Sequence, residues 1–302
     1  MAAAHGSPGS NAPSKTLDGQ PGGVTTLLRA ALPSIPVVNQ LPGVRKSGGK
    51  DFGGLSFSRP PVTVDRAHVE RYAEVCGFPA KDTVPFTYPH MLAFPLHMAI
   101  MSDPAFPAPA IGTVHVENTI TRHHEVRPGD AVAVSTSVGA ARTHPKGRVF
   151  DFVTEARVDG ELVWESTSSY LRRGKGDDAA PAGATFPDAP AGGITWRLPG
   201  DLGRRYAAVS GDHNPIHLYP LTAKALGFPR QIAHGMWTLA RCVAALENRL
   251  PEHSRVDVAF KKPVVLPTTV AFGSKPLDDG YAFSLTNPRS GAPHLAGRTT
   301  DL

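Results

Sequence analysis

The chain repeats itself, and this constrains its fold more than any other feature of the sequence. Residues 72–77 read YAEVCG and residues 206–211 read YAAVSG, an offset of 134. Pro89-His90-Met91 opens an apolar run to Met101, as Ala233-His234-Gly235-Met236 opens one to Leu246, at an offset of 144. Pro128-Gly129-Asp130 precedes a strand-like run, as Pro267-Thr268-Thr269 does, at an offset of 139. Three matches in the same order, separated by small insertions, identify a duplication.

Both halves follow one coarse plan: a short helix, a loop containing Pro or Gly, a longer apolar helix, then several strands. Residues 236–249 are apolar on nearly every helical face, the pattern of a buried helix. Strands are predicted at 114–124, 131–140, 148–158 and 161–171, and again at 256–260, 268–274, 281–285 and 294–299. A buried helix followed by a run of antiparallel strands implies an α+β layout, a sheet wrapped around the helix. The predicted organisation is a disordered tail at 1–23, a first repeat at 24–173, a linker at 174–193 and a second repeat at 194–302. The tail is rich in Ala, Gly, Ser and Pro and lacks the basic start and apolar core of a secretory signal. The linker, GKGDDAAPAGATFPDAPAGG, has no hydrophobic period with which to order itself.

Composition excludes several classes. Thirty Gly and thirty Pro in 302 residues rule out long uninterrupted helices. Hydrophobic residues at 41% and charged residues at 19% do not describe a disordered chain. No stretch reaches the ~18 apolar residues of a membrane span. The formal charge of +5 is spread along the chain, without the concentrated footprint of a nucleic-acid binder. A mild positive excess suits a polyanionic small ligand or an acidic carrier protein. Cys76 and Cys242 stand far apart among apolar neighbours with no metal-ligand spacing. Disulfide scaffolds and zinc ribbons are thereby excluded, and a cytoplasmic setting is the default expectation. The terminal Thr300-Asp301-Leu302 is no peroxisomal or ER address.

The chemistry concentrates in Ser210-Gly211-Asp212-His213-Asn214-Pro215-Ile216-His217. Gly211 and Pro215 mark a loop that can turn an acid, an amide and an imidazole towards one point. Two proton-transfer groups on one reacting centre are what addition or elimination of water requires. Asp212 and Asn214 are equally good helix caps, so capping and catalysis both stand as readings of this loop. His213 and His217, four apart, match a helical zinc pair in spacing, but Pro215 interrupts the helix that would align them. No metal is expected.

YAAVSGDHNPIH, followed by Gly227-Phe228 and Ile232-Ala233-His234-Gly235-Met236, resembles the hydratase-2 motif of the MaoC-like dehydratases. These are (R)-specific enoyl-CoA hydratases of the hot-dog fold. The likeness implies a double hot-dog: two repeats, each an antiparallel sheet wrapped around a long central helix. It implies that Asp212 and His217 form the catalytic pair, Asp212 taking a proton from water and His217 delivering one to C2. Asn214 falls at the site-supporting position. Gly235 falls where a backbone N–H faces the thioester carbonyl, although close packing of the helix would also call for glycine. His234 matches a common family position but is left out of the catalytic set, because buried histidines beside a helix start often serve only as hydrogen-bonded structure.

The first half reads Phe78-Pro79-Ala80-Lys81-Asp82 after Cys76-Gly77 and carries no GDxNPxH, so Asp82 receives no role. That half is expected to be non-catalytic and to accommodate a medium or long acyl chain. Residues 91–109 are a candidate tunnel lining, with ordinary core packing the simpler role. The pairs Arg172-Arg173 and Lys261-Lys262 are candidates for coenzyme A phosphates, or simply a solvated surface.

The expected activity is reversible hydration of trans-2-enoyl-CoA to (3R)-3-hydroxyacyl-CoA. Coenzyme A is part of the substrate, with no cofactor, and an acyl carrier protein is the alternative carrier. A hot-dog thioesterase and a silent acyl-thioester-binding subunit are the competing readings. No nucleic-acid partner is expected, and the chain is read as a monomer or homodimer. Asp212→Asn and His217→Gln are each expected to abolish turnover with the melting temperature nearly unchanged.

Overall fold

The duplicated sequence becomes a duplicated sheet. The computed structural model describes residues 14–17, 52, 54–110, 112–139, 141–190 and 193–302. The strands are β1 (Lys15–Thr16), β2 (Ser56–Thr63), β3 (Thr113–Arg122), β4 (Ala131–Val138), β5 (Arg142–His144), β6 (Gly147–Val158) and β7 (Glu161–Arg173). They continue with β8 (Ile194–Leu198), β9 (Ser254–Phe260), β10 (Thr268–Leu277), β11 (Gly280–Thr286) and β12 (Pro293–Asp301). The helices are α1 (Arg66–Cys76), α2 (Pro89–Ser102), α3 (Leu202–Ser210), α4 (Pro215–Leu218), α5 (Pro220–Ala225) and α6 (Gly235–Ala244).

Among the described residues one sheet runs β1-β2-β4-β6-β7-β3-β9-β12-β11-β10-β8, with β5 paired to β6 off that path. Read outward from the centre, β3-β7-β6-β4-β2 and β9-β12-β11-β10-β8 are the same order twice. The halves join where β3 and β9 pair antiparallel, from Glu117 opposite Ala259 to Arg122 opposite Ser254. This α+β arrangement, two wrapped sheets sharing a central seam, is the double hot-dog that the motif implied.

The matched segments occupy matched places. Tyr72–Gly77 closes α1 and Tyr206–Gly211 closes α3. Gly77 and Gly211 terminate these helices at φ 75° and 74°, a left-handed conformation that costs glycine no steric penalty. The apolar runs are α2 and α6, with Leu96 and Ile100 on one and Leu239, Ala240 and Val243 on the other fully enclosed. Across the repeats, Trp237 Nε1 donates to Val75 O at 2.9 Å and Arg241 donates to Gly77 O at 3.1 Å. At the seam the buried Asn118 amide donates to Ser168 Oγ at 2.9 Å and accepts from Ser166 Oγ at 3.1 Å. A satisfied amide there fixes how the halves meet without leaving an unpaired polar group.

Several elements differ from the sequence expectation. β2 and β8 were not anticipated. β2 contains Pro60-Pro61 and a register break between Arg59 and Val62, and β8 is a short strand at the sheet edge, so neither shows a clean period. The helix expected over 236–249 ends at Ala244, followed by a single 3₁₀ turn at Glu247–Arg249. Within the expected tail, Lys15–Thr16 pairs in parallel with β2 and Lys15 Nζ lies 2.6 Å from Asp103 Oδ2. Residues 1–13 and 18–23 lie outside the described residues. Residues 174–190 form no helix or strand and are anchored on both halves. The Ala184 N–H donates to the Glu117 carboxylate, and Lys261 Nζ donates to Ala184 O at 3.2 Å. Among the described residues no helix is long and apolar enough to cross a membrane.

Candidate active site

The segment 210–217 is shaped by its own backbone hydrogen bonds. Asp212 Oδ1 accepts from Asn214 N at 3.0 Å, and Asn214 Oδ1 caps α4 by accepting from Ile216 N at 3.3 Å. Capping and chemistry are therefore one arrangement: the bonds that start α4 also fix the Asp212 carboxylate and aim His217. Helix α3 packs directly on this turn, because a Cβ at Gly203 would overlap the His217 carbonyl. Gly203→Ala forces a backbone shift at His217. A stability loss of about 1–3 kcal/mol is expected, with a fall in turnover larger than the unfolded fraction explains. Denaturant melts measured beside kcat check this.

His217 is buried, and its Nδ1 lies 2.8 Å from Ile232 O. A carbonyl only accepts, so Nδ1 carries the proton and the neutral ring keeps its lone pair on Nε2. Burial lowers the His217 pKa below the ordinary imidazole value, with the Asp212 charge and the Ile232 carbonyl opposing that shift. His234 Nε2 donates to Asp212 O at 2.9 Å, and the His234 ring stacks on His217 at 3.7 Å between centroids and 26° between planes. His213 turns back to Gly211 O at 3.2 Å and does not join the pair.

Asp212, His217 and His234 each present a ligand-type atom within 4.8 Å of the others. Their geometry does not suit a metal. One nitrogen of each ring already donates to a carbonyl, and the remaining lone pairs lie in nearly parallel planes, whereas tetrahedral zinc needs them to converge.

These residues border a cavity of about 770 Å³ built from both repeats. The second repeat supplies Asp212, His217, His234 and Gly235, and the first supplies His90, His115 and Tyr170. Phe94, Met98 and Met101 of α2 line it too, while Met98 and Met101 are also buried in the core. Lys146, Arg173, Lys261 and Lys262 border the cavity and are exposed, marking where it opens. Half of each basic pair named from the sequence, or more, is thus at the opening.

Gly235 is the first residue of α6. The N–H groups of a helix's first turn have no intrahelical acceptor, and here Thr238 N is bonded to His234 O at 3.1 Å. A Cβ at Gly235 would meet the Phe260 ring at 3.4 Å, an ordinary contact, so packing alone does not demand glycine. The sequence reading did not anticipate His90, His115 and Tyr170 as site walls. One signal was present: His90 stands in the first repeat where His234 stands in the second.

The model for the MaoC like domain matches residues 196–278. A 3-hydroxyacyl-thioester dehydratase X from Mycobacterium tuberculosis is 36% identical over 289 residues, spanning 94% of this chain and 99% of that protein. The chain belongs to the MaoC-like dehydratases. The crystal structure of HtdX from M. tuberculosis matches with a TM-score of 0.74 at 36% identity, over 82% of this chain and all of that one. A further M. tuberculosis protein, described as a double hotdog fold, matches at TM-score 0.53 and 13% identity over 84% of this chain and 98% of that one, a likeness of fold. In this MaoC-like dehydratase the family match covers the repeat that carries Asp212 and His217, and the whole-chain relative covers both repeats.

Proposed function

We propose that this MaoC-like dehydratase reversibly hydrates trans-2-enoyl-CoA to (3R)-3-hydroxyacyl-CoA, with Asp212 and His217 as the catalytic pair: His217 moves the proton and Asp212 holds the water. The observation that carries the reading is the placement of that pair on a cavity wall beside the N-terminus of α6. A water between the Asp212 carboxylate and the His217 Nε2 lone pair donates both hydrogens to acceptors, leaving its oxygen free to attack C3. As the C3–O bond forms, one proton passes to Nε2, and the imidazolium beside Asp212 returns it to C2. Hydroxide ends on C3 and hydrogen on C2, and dehydration runs the same path backwards. This division of labour differs from the one the motif implied. A neutral ring protonated on Nδ1 has no Nε2 proton to give until it first receives one.

Enolate character builds on the thioester oxygen during both directions. The Gly235 N–H at the positive end of α6 is the assigned donor to that oxygen, and such a donor is worth ~3 kcal/mol in the transition state. Asn214 supports the site through its bonds to Asp212 and α4. The (R) outcome rests on the likeness of the 206–217 segment to hydratase 2. The exposed Lys146, Arg173, Lys261 and Lys262 would meet phosphates of coenzyme A or of a carrier protein's prosthetic arm. The reaction itself needs no metal or redox cofactor.

His90, Phe94, Met98 and Met101 lie on one face of α2, and the rise of about 1.5 Å per residue makes that face roughly 16 Å long. It suits a medium or long acyl chain, with two adaptable methionines at the far end. Met98→Trp is therefore expected to lower kcat/KM for a long-chain enoyl-CoA by about tenfold or more, a change of ~1.4 kcal/mol, while leaving crotonyl-CoA nearly unaffected. Equal losses on both substrates would place the acyl chain elsewhere.

The deciding assay follows loss of enoyl-thioester absorbance with crotonyl-CoA and a longer enoyl-CoA, coupled in parallel to (R)- and (S)-specific 3-hydroxyacyl-CoA dehydrogenases. Signal through the (R) enzyme alone is the expected result. Release of free CoA instead would replace hydration with thioester hydrolysis.

A further inference from the structure

His234 touches both members of the catalytic pair, and the hydration scheme gives it no task. Its Nε2–H donates to the Asp212 carbonyl at 2.9 Å, with Asp212 Oδ2 3.8 Å away. Its ring covers that of His217 at 3.7 Å, and the Tyr206 ring packs on it at 4.9 Å. Its backbone is the N-cap of α6, with its carbonyl accepting from Thr238 N at 3.1 Å. One residue thus ties together the loop carrying Asp212, the short helix carrying His217 and the helix whose first N–H belongs to Gly235.

Packing alone would be better served by another side chain. His234 Nδ1 is enclosed and has no hydrogen-bond partner among the described residues, a burial that costs free energy and that phenylalanine would avoid. What imidazole adds over phenylalanine is the N–H on Asp212. What it adds over glutamine is the ring on His217. We propose that His234 is the positioning residue of this site: its N–H fixes the Asp212 backbone and its ring shields the His217 imidazole from water. The inference rests on the hydration reading and deepens it.

The shielding has a consequence for protonation. Burial is the main cause of the lowered His217 pKa. The titratable groups facing the stacked rings are Asp212 and His213 from the loop and Tyr206 from α3. Across the cavity, His90 and Tyr170 feel the Asp212 charge. Burial keeps His90 and His234 neutral and both tyrosines protonated, which leaves Asp212 as the charge that opposes the shift. Removing the His234 ring admits water to His217, and its pKa rises towards the ordinary imidazole value.

Three variants separate the contributions. His234→Phe keeps a ring and loses the N–H, His234→Gln keeps a donor and loses the ring, and His234→Ala loses both. Each is measured for kcat, KM and the pH profile on an enoyl-CoA, and for His217 titration by NMR of labelled histidine. The alanine variant is expected to lose about 100-fold in kcat, as for a small misplacement of reacting groups, with KM within threefold of the parent. Phe and Gln should each recover part of that loss. The acid limb and the His217 pKa should move up in Gln and Ala and stay in place in Phe. Activity losses that track melting temperature, with His217 titrating alike in all four proteins, would overturn the proposal, as would full activity of the alanine variant. Should alanine fail to fold, the contrast between Phe and Gln decides. If the parent protein turns over no enoyl thioester, the hydration reading fails, and the NMR titration still tests whether His234 holds the His217 pKa down.

Discussion

Asparagine at position 212 is expected to leave the protein folded and to remove about 10³-fold of its turnover, within the range for loss of one electrostatic contact to the reacting atoms. The amide keeps an oxygen in the place of Oδ1, which accepts from Asn214 N at 3.0 Å, so the turn and the start of α4 survive. The side chain is 23% exposed, and the change in stability should stay within about 0.5 kcal/mol. What is lost is the negative charge that holds the attacking water and offsets the imidazolium. His217→Gln should lose turnover to a similar extent but behave differently on heating. Its ring is buried, donates to Ile232 O and stacks on His234. Removing it is expected to cost about 1 kcal/mol, a lowering of the melting temperature by several degrees. The sequence alone led to an unchanged melting temperature for both variants, and that expectation now applies to Asp212→Asn only. Thermal melts beside single-substrate kinetics check the pair. An Asp212→Asn protein with the parent's melting temperature and more than a tenth of its activity would remove Asp212 from the mechanism.

How much of this was legible in the sequence follows from which signals are local. The eight anticipated strands are long and half-buried, so their alternation survives in the sequence, as in β4 where buried and partly exposed residues alternate along Ala131–Val138. The turn at 210–217 was legible because the Asp212 and Asn214 bonds that start it are local, whereas those tying His217 to Ile232 and Asp212 to His234 are not. β2 was missed because Pro60-Pro61 and a register break interrupt its period, and β8 because it is a short edge strand with a weak one. The cavity walls were not legible at all in detail. His90, His115 and Tyr170 reach the second repeat's site only because β3 and β9 pair across the seam, a contact about 140 residues apart in sequence. Local sequence gives no reason to place His234 in the catalytic set, and only the fold puts its ring on His217. The linker illustrates the reverse case: lacking any period, it is still anchored at Ala184 by bonds to Glu117 and Lys261, one from each repeat.

Acid should unfold this chain cooperatively, with most of its stability gone near pH 4.5. Burial holds the His90 pKa down to about 4 against the pull of Asp212, and holds those of His97 and His234 well below the ordinary imidazole value. The His217 pKa is lowered for the same reason. In the unfolded chain these rings titrate near ~6.5. Below that pH the unfolded state binds protons that the folded state refuses, so stability is complete above pH 6.5 and falls as the pH drops towards the folded values. At pH 4.5 His90 alone removes roughly 2–3 kcal/mol, two pH units below the unfolded value. His115, which burial holds down to about 3, removes a similar amount, so the two together reach the lower end of the 5–15 kcal/mol that a domain has to lose, and His97, His217 and His234 act in the same direction. Denaturant melts between pH 7.5 and 4.5 should show uptake of more than two protons on unfolding around pH 5.5. His90→Phe removes one of those protons and lets the chain survive to lower pH, because the His90 ring lines the cavity and its Nδ1 has no partner to lose. Stability that stays flat to pH 4.5 would mean that the buried rings are protonated in the fold. Since His217 is one of these rings, activity and stability fall over neighbouring pH ranges in the parent. In His90→Phe the stability limb moves to lower pH while the activity limb, set by His217 beneath His234, stays where it was.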